Sequence, residues 1–192
     1  MVQALSDKLT QKLVSEGLIS KEDIEIYQYG VYIFLMQLIS ISTTIMIGLL
    51  IGKLELTIVF IVVLRTLRQY AGGYHSNKYI TCYLISLGTY LGAITLANCK
   101  FGVSIIIPVT IISGIIIFVI GSVNSQMNPK TDLEMQSRTK KTRIIVTINS
   151  LSIVICTYIS IGSPKIWLVI MWSQVIITFS LLIVKIQRRN IV

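Results

Sequence analysis

Cys82 and His75 are the two side chains in this sequence whose types and spacing suit covalent chemistry, and His75 is the only histidine in the chain. A thiolate attacks a carbonyl, and an imidazole within reach takes the thiol proton and later gives one to a departing amine. They lie in the stretch 65–82 with Arg65, Arg68, Gly72 and Gly73. A helix capped by Ser76 or Asn77 would hold Cys82 within its first two turns. There the positive helix end and neighbouring cations favour the thiolate. Seven residues along an unbroken helix is ~10 Å of rise, far more than the ~3 Å of a useful hydrogen bond. A catalytic pair therefore requires a fold-back, and the adjacent glycines supply it. Each costs a helix about 1 kcal/mol relative to Ala and permits positive φ. The spacing thus predicts that no continuous helix runs from Arg68 through Cys82. The simpler alternative is a solvated histidine at a membrane surface and a cysteine that only packs. Gln69, Ser76 and Asn77 are the nearby candidates for a third member, although capping or solvation explains each more simply.

The rest of the chain offers no competing chemistry. Cys99 and Cys156 sit in apolar segments and read as packing residues. No CxxC pair suggests a disulfide framework or zinc site. His75 with Cys82 is two ligands where a structural zinc takes four, and Asp132 and Glu134 are far along the sequence. No phosphate-binding glycine loop is present. The sequence calls for no metal and no cofactor.

What must position these residues is a set of membrane helices. The 192 residues are 54% apolar and 13% charged, with a mean hydropathy of +0.79. Soluble domains carry about 25% charged residues. Apolar runs fall at about 29–51, 54–70, 79–98, 102–123, 144–162 and 165–185, each approaching the ~20 residues that cross a bilayer. Unalternating Ile, Leu and Val exclude a barrel, so the expectation is an all-α protein of about six transmembrane helices in a single polytopic domain. Residues 1–26 are too polar for a cleavable signal peptide. Within them Leu5, Leu9, Leu13 and Val14 share a face, the pattern of an amphipathic helix lying in the membrane interface. Ser20 opens a capping pattern with Glu22 and Asp23, and Thr131 with Glu134 forms another.

Charge predicts the orientation. The amino-terminal part, the second-to-third connection, the fourth-to-fifth connection and the tail hold fourteen of the seventeen Lys and Arg residues. The remaining connections hold only Lys53, Lys100 and Lys165. Basic loops stay in the cytosol, which puts both termini and the 65–82 stretch on that side. The net charge of +9 is explained this way rather than by nucleic-acid binding. Arg65 would lie about 18 Å into a ~30 Å core if the second span begins at Lys53. It must face a cavity or a partner, or snorkel to the headgroups. Arg138, Lys140, Lys141 and Arg143 form the densest basic cluster, suited to an acidic partner.

The pattern R-x4-G-x-H-x6-C, formed by Arg68, Gly73, His75 and Cys82, resembles the motif of the accessory gene regulator B (AgrB) family. The six-span layout, the chain length and the basic fourth-to-fifth loop are similar too, so the likeness covers essentially the whole chain. The resemblance implies a multi-pass cell-membrane cysteine endopeptidase of a Gram-positive bacterium, with its active site facing the cytosol. Such enzymes cut the carboxy-terminal tail from an AgrD-type propeptide and help close a thiolactone or lactone autoinducer for quorum sensing. It makes Cys82 the nucleophile and His75 the base and acid, with Arg68 and Gly73 in supporting positions. It relates Lys140 and Lys141 more loosely to substrate binding, and it implies a homodimer. The competing expectations are a small peptide exporter, with polar residues near the middle of several spans, and a scaffold that binds acidic partners and tolerates Cys82→Ala.

Overall fold

A backbone in hydrocarbon must satisfy its own polar groups, and long apolar runs do so as helices. The computed structural model describes residues 2–73, 79–124, 131–160 and 162–189, and within them the chain is helical without a strand. Seven α-helices follow in order: α1 (Val2–Ser15), α2 (Ile24–Leu50), α3 (Leu54–Ala71), α4 (Tyr79–Ala97), α5 (Val103–Ile120), α6 (Asp132–Tyr158) and α7 (Pro164–Arg189). Their contacts gather the chain into two units, residues 1–47 and 48–192.

In the first unit, α1 packs on α2 through small hydroxyl residues rather than leucines. Ser6 and Thr10 are fully buried, and the Ser6 hydroxyl donates to the Gln28 carbonyl at 2.8 Å. The Gln28 amide donates to the Asp7 carboxylate. Leu5 and Leu9 stay exposed. Short side chains let two helices approach closely, which leaves the leucine face of α1 available to lipid. A 3-10 turn at Lys21–Asp23 leads into α2. The Ser20 hydroxyl bonds the Asp23 carboxylate at 2.8 Å instead of a backbone amide, so the expected cap is replaced by a side-chain pair.

In the second unit α7 is central, packing on α3, α4, α5 and α6. Leu67 and Ala71 from α3, Ile117 from α5, Val146 from α6, and Ile177 and Leu181 from α7 form one buried cluster. These positions are the carboxy-terminal ends of α3 and α5 beside the second half of α7, so the segments leaving α3 and α5 emerge together against α7. Arg65, Arg68, Arg138, Lys140, Lys141, Arg143 and Lys185 lie toward this end, and Lys53 and Lys165 begin helices at the other. Tyr90 of α4 is fully buried beside Phe60 and shares a 2.8 Å hydrogen bond with Thr57. Thr57 spends its proton on the Lys53 carbonyl, so the tyrosine is the donor. This pairing of an early residue of α3 with a late one of α4 makes the two helices antiparallel.

Among the described residues four helices are long and apolar enough to cross a membrane: Lys21–Leu50, Ile80–Ala97, Val103–Ile120 and Pro164–Gln187. The other two of the six apolar segments are helical but more polar. α3 carries Glu55, Arg65 and Arg68 within its 18 residues. α6 is one continuous helix of 27 residues that opens on the Thr131–Glu134 capping box, with both reciprocal bonds formed. Its apolar part begins only at Ile144, short of the ~20 residues of a full crossing.

Candidate functional site

The helix break that the sequence predicts between Arg68 and Cys82 is present. α3 ends at Ala71, and Gly72 and Gly73 take φ of +79° and +148°. Both are conformations that a side chain resists. The Gly72 N–H closes the last turn on the Arg68 carbonyl at 3.0 Å. α4 begins at Tyr79, and its antiparallel course means that the chain reverses between the two helices. Cys82 is a free, half-buried thiol in the first turn of α4. His75, Ser76 and Asn77 lie outside the described residues, so the meeting of imidazole and sulfur is an expectation from the sequence. Arg65 is exposed and Arg68 half-buried, and neither is without a partner. Gln69 is exposed.

The end of α3 is completed by residues from elsewhere in the fold. The last four carbonyls of a helix have no partner within it. The Tyr70 carbonyl accepts from the Ser122 hydroxyl at 2.7 Å and the Ala71 carbonyl from the Val123 N–H at 2.9 Å. The Ser122 N–H in turn donates to the Thr139 hydroxyl of α6 at 3.3 Å. Gly121, at φ +70°, ends α5 and turns the chain into this strap. The fit is tight. A Cβ on Gly72 would lie 2.6 Å from the Val123 carbonyl oxygen, and one on Gly73 2.6 Å from the Ser180 hydroxyl of α7. Ser122, Thr139 and Ser180 were not legible as site residues, because each meets the bend only through the packing of distant segments. Gly121, inside the apolar run expected at 102–123, was the single local hint, as a helix stop.

The four basic residues of α6 divide by role. The Arg143 guanidinium lies over the Phe118 ring at 5.1 Å and donates to the Phe118 carbonyl at 3.1 Å, in the last turn of α5. A cation there offsets the negative helix end. The Lys141 ammonium stands 5.4 Å from the centre of the Tyr70 ring, two residues before Gly72. Lys140 is exposed and Arg138 half-buried. Among the described residues no three His, Cys, Asp or Glu side chains gather to hold a metal.

The interior of the second unit is less bare than the apolar runs imply. Gln174 of α7, fully buried, donates to the Thr110 carbonyl at 3.0 Å and to the hydroxyls of Ser113 and Ser150 at 3.1 Å. Thr178 adds a bond to the Ser113 carbonyl. Each of these polar groups is hydrogen-bonded to another, which makes the cluster a link between α5, α6 and α7.

The family model described as "Accessory gene regulator B" matches residues 6–181. Two AgrB-like proteins of Clostridium perfringens, named by likeness, are similar over 121 residues. One, from strain SM101, is 32% identical, and the other, AgrB-like protein 2 of strain 13, is 30% identical. Each match covers 63% of this chain and 56% of the relative, so the chain spans little more than half the length of these curated relatives. No solved structure matches the chain.

Proposed function

The chain belongs to the accessory gene regulator B family, and on that premise we propose that it is a membrane-embedded cysteine endopeptidase that matures an AgrD-like propeptide into a cyclic autoinducer. The observation that carries this reading is the end of α3 at Ala71, followed by Gly72 and Gly73 at positive φ. It removes the continuous helix that would have held the residues flanking the glycines apart, which supports a pairing of His75 with Cys82. In the proposed reaction, Cys82 adds to the scissile carbonyl after giving its proton to His75. The peptide C–N bond breaks, His75 protonates the departing amine of the tail, and an acyl-enzyme thioester remains. A thiol within the substrate then gives its proton to His75, attacks that thioester and expels the Cys82 thiolate, closing a thiolactone. One thioester replaces another, so this step needs no ATP. Holding the substrate thiol close favours closure over hydrolysis. First-turn amides of α4, which have no acceptors within their own helix, are suited to hold the oxyanion.

Lys140, with Arg138 and Lys141, would receive the acidic tail of the propeptide on the same end of the bundle. The proposal includes six crossings with both termini in the cytosol, α3 and α6 being held in the bilayer by α5 and α7, and a homodimer as the working form. An exporter would use polar groups lining a path. The Gln174 cluster, whose groups satisfy one another, supports a link between helices instead.

Cys82→Ser and His75→Ala decide the matter when each is co-expressed with the propeptide and the peptide mass is followed. The expected result is loss of cleavage with membrane insertion intact. Unchanged processing in both variants would refute the protease reading.

A further inference from the structure

The end of α3 and the basic part of α6 meet in two ways, directly where Lys141 lies over the Tyr70 ring and through hydrogen bonds to Ser122. Ser122 sends its hydroxyl proton to the Tyr70 carbonyl at 2.7 Å and its amide proton to the Thr139 hydroxyl at 3.3 Å. The next residue, Val123, bonds Ala71 through its N–H and holds its carbonyl against Gly72. Thr139 stands beside Lys140 and Lys141, and the Lys141 ammonium reaches the ring of the same Tyr70 whose carbonyl Ser122 holds. A load on this turn of α6 can therefore pass to the last carbonyls of α3 through two hydrogen bonds in series, at 3.3 and 2.7 Å.

We propose that Ser122 is a positioning residue that couples occupancy of the basic turn of α6 to the geometry of the glycine bend, and so to the presentation of Cys82. The inference rests on the proposed function for the meaning of both ends. Chemically, the partner at α6 is an acidic peptide segment. Its carboxylates would draw Lys140 and Lys141 outward, and Thr139 moves with that turn. Ser122 is the link because it is bonded to both sides. Val123 alone reaches only α3, and Arg143 is held by α5.

The test uses the full chain with Cys99 and Cys156 changed to Ser, in phosphatidylcholine nanodiscs that expose both faces. Alkylation of Cys82 by N-ethylmaleimide is timed with and without an octaglutamate peptide. The expected result is a change in rate of about two- to tenfold on adding the peptide, the span one net hydrogen bond can transmit. That response is lost in S122A and kept in S122T, which retains the hydroxyl. T139V, which removes the acceptor on α6, loses the response as well and carries the test if S122A fails to accumulate. The proposal is overturned by an equal response in S122A and the unaltered chain, which is what direct shielding of the thiol would give. It is overturned equally by no response in the unaltered chain, or by a loss in S122T as complete as in S122A. Alkylation needs only the thiol, so this outcome is independent of the cleavage assay that judges the protease reading.

Discussion

Gly72→Ala is the substitution for which the structure makes the sharpest demand. The residue sits at φ +79° and ψ −152°, an essentially glycine-only region where a Cβ costs about 1–3 kcal/mol. That Cβ would also lie 2.6 Å from the Val123 carbonyl oxygen, against the 3.4 Å at which ordinary contact begins. The strap must retreat by about 0.8 Å, and Val123 is tied to Ala71 by a 2.9 Å hydrogen bond whose loss costs about 0.5–1.5 kcal/mol. Together these give about 1.5–4.5 kcal/mol against the native bend, or roughly 10- to 1,500-fold in its population at 1.4 kcal/mol per decade. Propeptide cleavage, normalised to protein recovered in the membrane, should fall by that factor. Gly88→Ala is the control, since its Cβ meets nothing within 4 Å. Gly73→Ala differs in kind, because the obstacle is the Ser180 hydroxyl at 2.6 Å rather than a backbone atom. Adding S180A should therefore restore part of the activity of G73A and none of the activity of G72A. Cleavage by G72A at the rate of the Gly88→Ala control would refute the reasoning, as would rescue of G72A by S180A.

Two other outcomes follow from the same geometry. Gln174→Leu removes a buried amide with three partners from the junction of α5, α6 and α7. Interhelical polar links in membranes average about 0.6 kcal/mol and reach roughly 1.7, so the melting midpoint in detergent should fall by a few degrees with Cys82 still at the same end of the bundle. Lys140→Gln and Arg143→Gln should separate: the first weakens binding of an acidic peptide in a salt-sensitive way, whereas the second lowers thermal stability, because Arg143 is committed to the last turn of α5.

Fold class followed from composition and the absence of alternation, since a bilayer offers the backbone few solutions. Helix starts and stops with local causes were equally readable. The Thr131–Glu134 box formed as expected, and the need for a break at Gly72 and Gly73 came from distance alone. Ser20 marks the limit of such reading, because its hydroxyl found the Asp23 side chain instead of an amide. The membership suggested by Arg68, Gly73, His75 and Cys82 agrees with the family match over residues 6–181.

What surrounds the bend was decided by tertiary packing. Ser122 is 52 residues from the carbonyl it holds, and nothing nearby in sequence distinguishes it from the other serines of an isoleucine-rich chain. Arg143 and Lys140 look alike on paper; the helix ending beside one and not the other sets them apart. The burial of Ser6 and Thr10 in place of Leu5 and Leu9 has the same origin. In lipid an apolar face has no water to escape, so periodicity names the helices while small residues and hydrogen bonds choose which faces meet. Those choices depend on the partner helix, and a single strand of sequence does not contain its own neighbours.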